Sequence, residues 1–283
     1  MSEPDDPPTE SGLDAQTQRT VVRERYGSIA TARGADGGCC SSDDSCCSSG
    51  DTAAPADETA RQLGYSDADL EGVDGDANLG LGCGNPQAIA SLNAGESVLD
   101  LGSGAGFDCF LAAQEVGETG RVIGVDMTPE MVEKARANAS RNDAGNVEFR
   151  LGEIEHLPVA DDSVDVVISN CVVNLSPEKP RLFDEAYRVL RPGGRLAISD
   201  VVLTAAVPPE VRADPDSVAS CVAGASTVDR LETILADAGF EAVEISPADD
   251  SEAFIREWDD DHDVSEFLVS AAITGRTPED TDE

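Results

Sequence analysis

Lysine is almost missing from this chain. Only Lys134 and Lys179 occur; Lys and Arg together number 19 against 57 Asp and Glu, a formal charge of −38 over 283 residues. This balance excludes a nucleic-acid role built on phosphate contacts, which need a basic face. In dilute buffer so many carboxylates repel one another, and molar salt screens them over about 3 Å. The composition therefore reads as that of a cytosolic protein from a salt-accumulating halophile. The acids run through the patterned part of the chain, so they do not read as an acidic binding tail. Long apolar runs are missing too: none approaches the ~20 residues of a membrane span. Met1 to Glu10 is acidic and proline-rich, without the basic start and apolar centre of a secretory leader. The eight cysteines are accordingly expected to act as thiols in a reducing cytosol. No Gly-Lys-Ser/Thr occurs, which excludes a phosphate-gripping P-loop. Histidine is limited to His156 and His262, poor material for general-base chemistry.

What the chain does contain is a strand, a glycine loop and a helix in direct succession. Ser97 to Leu101 is an apolar run, the glycines follow at once, and Phe107 to Val116 has the pattern of a helix. The free N–H groups of that helix begin where the loop ends, as in a nucleotide site. From there strand and helix patterns alternate, which implies a parallel sheet with right-handed crossovers. The spacing predicts strands at Arg121–Val125, Val147–Leu151, Val164–Ser169 and Leu196–Val202. Thr128-Pro129 and Ser176-Pro177 read as helix starts, with Thr128 as N-cap and the second helix running to Leu190. Beyond Leu203 lies an insertion, residues 204–226, which contains Cys221. A helix capped by Thr227 and ending at Gly239 follows, then strands Phe240–Ser246 and Phe267–Gly275 around a short helix near Ala253–Trp258. Ahead of the α/β part, Gln16–Ala32 predicts an amphipathic helix and Asp57–Gly75 one or two short ones. Between them, a low-complexity stretch carries Cys39-Cys40 and Cys46-Cys47. Adjacent pairs differ from the C-x2-C of zinc sites, so a mobile arm bearing soft thiols is the preferred reading over a structural zinc. The expected organisation is an arm over 1–56, one α/β domain over 57–276 and a frayed acidic tail over 277–283.

The loop itself, Asp100-Leu101-Gly102-Ser103-Gly104-Ala105-Gly106, is an evenly spaced G-x-G-x-G behind an acid. It lacks the third, packing glycine of the dinucleotide pattern. Asp126 ends the second strand, placed to accept hydrogen bonds from a ribose. Together these resemble the S-adenosylmethionine site of class I methyltransferases. The resemblance implies a Rossmann-like α/β fold with a mostly parallel sheet ordered 3-2-1-4-5-7-6, and S-adenosyl-L-methionine as cofactor. Gly102, Ser103 and Gly104 are expected to approach the cofactor, and Asp100 to orient the loop or the amino-acid half. Met127 either packs on the adenine or belongs to the core. Gly152-Glu153-Ile154-Glu155-His156-Leu157-Pro158 resembles the segment in which an acid–apolar pair holds the adenine, which implies that role for Glu153 and Ile154. His156 reads as a surface or packing residue. Asn170, ending strand four, is expected to face the methionine half.

The cysteines set this chain apart. With strands one and four adjacent at the switch point, ligands bind outside their carboxyl ends. Cys171 follows strand four, Cys221 lies in the insertion after strand five, and Cys83 lies in the glycine-rich stretch Asn78–Pro86. These thiols are in a position to converge from distant segments, whereas Cys109 reads as packing behind the glycine loop. Thiolates suit a soft, thiophilic element. Trivalent arsenic binds three sulfurs in a pyramid and keeps a lone pair that can be aimed at a sulfonium methyl. Asn78–Pro86, Val98–Phe110, Val122–Met131, Phe149–Pro158, Ser169–Pro177 and Arg191–Val201 are similar to the bacterial and archaeal arsenite methyltransferases. The resemblance implies that Cys83, Cys171 and Cys221 bind arsenite or its thiol conjugates, and that an N-terminal cysteine or pair joins the redox steps. It also implies thioredoxin or small thiols as reductant. The C-terminal extension of the animal enzymes is not expected here. Two other readings stand beside this one. A carbon or oxygen methyltransferase would need a base that neither histidine supplies convincingly; a metalloid sensor would not need the intact cofactor motif.

Overall fold

The computed structural model describes residues 11–32, 56–208, 211, 217–218, 221–248, 251–258 and 263–279. The Cys39-Cys40 and Cys46-Cys47 pairs and His262 lie outside the described residues. The sheet is built from β1 (Ser97–Leu101), β2 (Arg121–Asp126), β3 (Val147–Leu151), β4 (Val164–Asn170), β5 (Leu190–Leu203), β6 (Ser226–Thr227), β7 (Glu241–Pro247) and β8 (Leu268–Arg276). Its order is β3-β2-β1-β4-β5-β8-β7, parallel from β3 to β5, with β8 antiparallel to β5 and β7 antiparallel to β8. This is the class I methyltransferase topology expected from the sequence. The two-residue β6, which pairs with the end of β5, advances the last two strand numbers by one.

Strand alternation sorts the core into two layers. On β1, Leu99 and Leu101 join Ile123, Val125, Val167, Leu196 and Ile198 on one face, covered by α7 (Lys179–Val189) and α8 (Val228–Asp237) through Leu182, Phe183, Leu231 and Leu235. Val98 turns the other way with Val122, Val166, Ile168 and Ala197, covered by α5 (Phe107–Val116) and α6 (Pro129–Arg141) through Phe110, Val132 and Ala135. Both faces being covered, the central strands read as continuous apolar runs. Asp100 shares the Val98 face and is 3% exposed, so its carboxyl is driven under the glycine loop rather than into solvent.

Several boundaries depart from expectation. The segment Val173–Leu175 is a 3-10 turn and α7 starts at Lys179, with Pro180 rather than Pro177 in its first turn. Ser176 is otherwise engaged: its hydroxyl donates to Glu155 Oε1 (2.6 Å) and accepts from the Glu178 N–H. Thr128 stands at the N-cap of α6 without a side-chain capping bond, whereas Thr227 does cap α8 through Arg230 N–H. β5 begins at Leu190, which pairs with Val164; the Arg191–Gly194 turn is an irregularity inside the strand. The tail is not frayed at its start. Thr277 is buried and its hydroxyl donates to the Arg191 carbonyl (2.7 Å), and Gly193 N–H donates to the Pro278 carbonyl (2.9 Å).

The short helices α2 (Ala56–Gln62), α3 (Asp67–Glu71) and α4 (Gln87–Ala90) precede β1, and the helix expected in the N-terminal arm, α1 (Ala15–Ala32), is docked on the domain. It lies against α6 and the 3-10 turn. Val22 is buried, and Gln18, buried, donates to the Leu175 carbonyl (3.0 Å) and accepts from the Ser11 hydroxyl (2.6 Å). Arg19 reaches Glu178, Glu155 (3.6 Å) and Glu153 (3.7 Å), and Arg23 reaches Glu153 (3.5 Å).

Candidate functional site

A cavity of about 490 Å3 opens at the carboxyl ends of β1, β2 and β4. Its wall includes Asp100, Gly102, Ser103 and Gly104, then Asp126 and Met127, Ile154, Asn170 and Cys171, and it reaches Cys221 in the insertion. The glycine loop is fastened from β2. Gly102 and Ser103 N–H both donate to the Val125 carbonyl, and Gly104 N–H donates to Asp126 Oδ2 (3.0 Å). The other oxygen of Asp126 accepts from Thr128 N–H (2.8 Å), so one carboxylate ties the two loops together. Burial raises the Asp126 carboxyl against these bonds, which favour its charge. Gly102 has φ +69°, and a Cβ there would stand 2.4 Å from Val172. At Gly104, also left-handed, a Cβ would meet nothing within 4 Å. Ser103 Oγ is buried without a hydrogen-bond partner. Open space over one loop residue and an orphaned hydroxyl at the next fit a polar ligand lying against this backbone.

Two acids deepen the cavity floor. Asp100 accepts from the Cys109 thiol (3.2 Å), and burial, then the charge of Asp108, holds its carboxyl well above the ordinary range. Asp108 accepts from the Tyr65 hydroxyl (2.8 Å) and burial pushes its carboxyl up to about 6. Glu153, expected at the adenine, does not line the cavity; its carboxylate pairs with Arg19 (3.7 Å) and Arg23 (3.5 Å) of α1. The acid that does line it is Glu155, buried and bonded to Ser176. His156 is exposed. Tyr65, Asp108 and Glu155, with Arg19 and Tyr26 of α1, escaped the sequence reading. Only their polarity beside apolar neighbours marked them, and their partners lie far away in sequence.

Asn170 has a task the sequence did not show. Its amide Nδ2 donates to the Gly84 carbonyl (2.8 Å) and the Tyr65 hydroxyl (3.0 Å), while Oδ1 accepts from Cys83 N–H (3.0 Å). It thereby clamps the Cys83 loop to the end of β4. Behind it the three thiols meet. Cys171 is in sulfur hydrogen-bond contact with both Cys83 and Cys221, and the Cys221 thiol also donates to the Cys171 carbonyl (3.0 Å). Cys171 and Cys221 line the cavity; Cys83, 1% exposed, stands behind them. Both cavity-lining cysteines have left-handed backbones, φ +56° at Cys171 and +68° at Cys221. Burial raises the Cys83 thiol, against a bond with Cys171 that lowers it. At Cys171 the bond with Cys221 favours the thiolate, but the bond with Cys83, burial and neighbouring charge outweigh it and the group sits well above its ordinary value. Cys221 is also well raised, first by its bond with Cys171 and then by burial. The three are therefore neutral thiols near pH 7. Beside them, Asp200 is 1% exposed, and burial pushes its carboxyl up to about 6.

A family model for a methyltransferase domain matches residues 92–239. The arsenite methyltransferase of Halobacterium salinarum is 62% identical over 276 residues, 94% of this chain and 68% of that protein. This chain belongs to the arsenite methyltransferase family. The arsenite methyltransferase of Aquipseudomonas alcaligenes is 45% identical over 166 residues, 56% of this chain and 47% of that protein. Among solved structures, the arsenic(III) S-adenosylmethionine methyltransferase of Chlamydomonas reinhardtii aligns with a TM-score of 0.58 and 33% identity, over 81% of this chain and 75% of that one. A Halobacterium relative within the family accords with the acidic composition. No helix among the described residues is long and apolar enough to cross a membrane.

Proposed function

We propose that the chain transfers methyl groups from S-adenosylmethionine to trivalent arsenic held by Cys83, Cys171 and Cys221, and so serves arsenic detoxification in the cytoplasm. The observation that carries this is the shared cavity: the glycine loop, Asp126, Cys171 and Cys221 all line it, and Cys83 is in contact with Cys171. Bound S-adenosylmethionine supplies a methyl group on a sulfonium, an electrophile. Asp126 is suited to the ribose hydroxyls, Ser103 and Gly104 to the backbone-facing polar groups, and Met127, Ile154 and Glu155 to the adenine. Asp100 and Asp108 also line the cavity, and a cationic sulfonium and ammonium would draw their raised carboxyls into the charged form.

The substrate, trivalent arsenic delivered as a thiol conjugate, exchanges onto the three cysteines. Neutral thiols suit that exchange, since each cysteine proton leaves with the thiol it displaces. Arsenic bound to three sulfurs keeps one lone pair, and no proton is lost when that pair attacks the methyl; no general base is required. Fixing the nucleophile beside the electrophile is worth up to ~7–11 kcal/mol of barrier. Methylation formally oxidises arsenic by two electrons. A thiol pair returns them as it closes to a disulfide, which thioredoxin or small thiols then reopen. The N-terminal cysteine pairs are suited to that relay.

The test is Cys171→Ser. Serine is close in size, but its hydroxyl is a hard donor and stays protonated. The variant is expected to bind S-adenosylmethionine normally in a calorimetric titration and to give no methylated arsenic by speciation with labelled cofactor. Normal cofactor binding with near-wild-type methylation would refute the three-thiol reading.

A further inference from the structure

Resting on the three-thiol reading above, we propose that Cys83, Cys171 and Asp200 form a second, overlapping site for a thiophilic divalent cation of the zinc class, so that such cations and arsenite exclude one another. The two sulfurs and a carboxylate oxygen all lie within 4.8 Å of one another, and each residue is buried. A tetrahedral cation binds thiolate at about 2.3 Å and carboxylate at about 2.0–2.2 Å, so only modest side-chain rotation brings the three donors onto one ion. Of the two carboxylate oxygens, Oδ2 is the more weakly held. Asp200 Oδ1 accepts from Asn174 Nδ2 (2.8 Å) and Val201 N–H (2.8 Å), whereas Oδ2 takes a long bond, 3.3 Å, from Asn174 N–H.

The two ligand sets share Cys83 and Cys171 and differ in the third donor. Arsenic(III) favours three soft sulfurs, which Cys221 completes. A borderline cation accepts mixed sulfur and oxygen, which Asp200 completes. Charge separates them further. Three thiolates neutralise an As3+ centre. Two thiolates and a carboxylate around a divalent cation leave one negative charge, and the buried ammonium of Lys179, hydrogen-bonded to the Gly224 carbonyl (2.7 Å), lies close enough to act on Asp200. Each thiol gives up its proton to solvent as the cation binds.

The experiment uses the full chain with Cys39, Cys40, Cys46 and Cys47 changed to serine, in sodium sulfate because chloride complexes the probe. Cadmium(II) is the probe, followed through its thiolate charge-transfer absorbance. One cadmium per chain is expected, expelled as arsenite is added. Asp200→Asn is expected to weaken cadmium binding by about tenfold or more while arsenite binding is kept. Cys221→Ser is expected to do the reverse, an arm that does not depend on Asp200→Asn folding. Cadmium and arsenite bound together would overturn the proposal, as would a cadmium affinity indifferent to Asp200 in a folded variant. Arsenite bound and methylated with no cadmium uptake would overturn it while leaving the proposed function intact. Cadmium held through Asp200 with no arsenite binding at all would support the cation site and sink the arsenic reading instead.

Discussion

Asn170→Ala separates the two halves of the cavity. The wild-type amide holds the Cys83 N–H, the Gly84 carbonyl and the Tyr65 hydroxyl at 3.0, 2.8 and 3.0 Å. Alanine leaves a buried N–H and a carbonyl without their partner, at a cost of ~1–3 kcal/mol each. Partial rescue by water brings the loss in the Cys83 loop to roughly 2–4 kcal/mol. If about 2 kcal/mol of this appears as depopulation of the loop position that presents Cys83, arsenite affinity falls by roughly 30-fold. The hydrogen bonds from Asp126 to the glycine loop are untouched, so cofactor affinity is expected to change far less. Asn170→Asp keeps an acceptor for Cys83 N–H and should fall between the two. Gly82→Ala offers the same lesion by another route, because its Cβ would stand 2.7 Å from the Asn170 amide atoms. The assay is a paired titration of each variant with arsenite and with S-adenosylmethionine in molar potassium chloride. Equal losses of both ligands, or an unchanged arsenite affinity in Asn170→Ala, would refute the clamp.

Asp126→Ala should do the opposite, weakening the cofactor more than arsenite and costing stability through the two abandoned N–H groups, as a denaturant titration beside both ligand titrations will show. With a formal charge of −38, thermal stability should climb with potassium chloride from low to molar concentration; a flat melting temperature would remove the salt-adaptation argument. The raised carboxyl of Asp108, about 6 against an ordinary 3.8, keeps its proton longer folded than unfolded. It therefore subtracts stability as pH rises from about 4 through about 6, by an order of 1–3 kcal/mol, and Asp108→Asn should flatten that part of the stability profile.

The fold was legible where burial imposes a pattern. Ser97–Leu101 coincides with its element because a central strand covered on both faces must be largely apolar and the glycines mark its end; the bounds of the Phe107–Val116 helix and of the mixed-pattern edge strand Val147–Leu151 also match. Boundaries set by competing side-chain bonds were not legible: Ser176 looks like a cap, but its hydroxyl serves Glu155, and only the fold reveals that partner. The convergence of Cys83, Cys171 and Cys221 followed from the switch-point topology. The choice between Glu153 and Glu155 did not, since two like acids two residues apart differ only in partners that the fold supplies: Arg19 reaches both, but Arg23 pairs with Glu153 and the Ser176 hydroxyl with Glu155. The docking of α1 is invisible to local pattern for the same reason: its ion-pair partners are more than a hundred residues downstream.

The left-handed backbones at Cys171 and Cys221 bear on when the cost of assembling a three-sulfur site is met. A non-glycine residue held there costs about 1–3 kcal/mol, and the backbone alone would favour glycine. Cys171→Gly should accordingly be more stable to denaturant than Cys171→Ala, although both lose the sulfur. The expense falls on folding and is carried by every molecule, with or without arsenic. In return the Cβ directions are fixed before the substrate arrives, and little ordering is left for binding to accomplish. Under the proposed function, these two backbones place in the folded state an expense that substrate binding would otherwise have to meet.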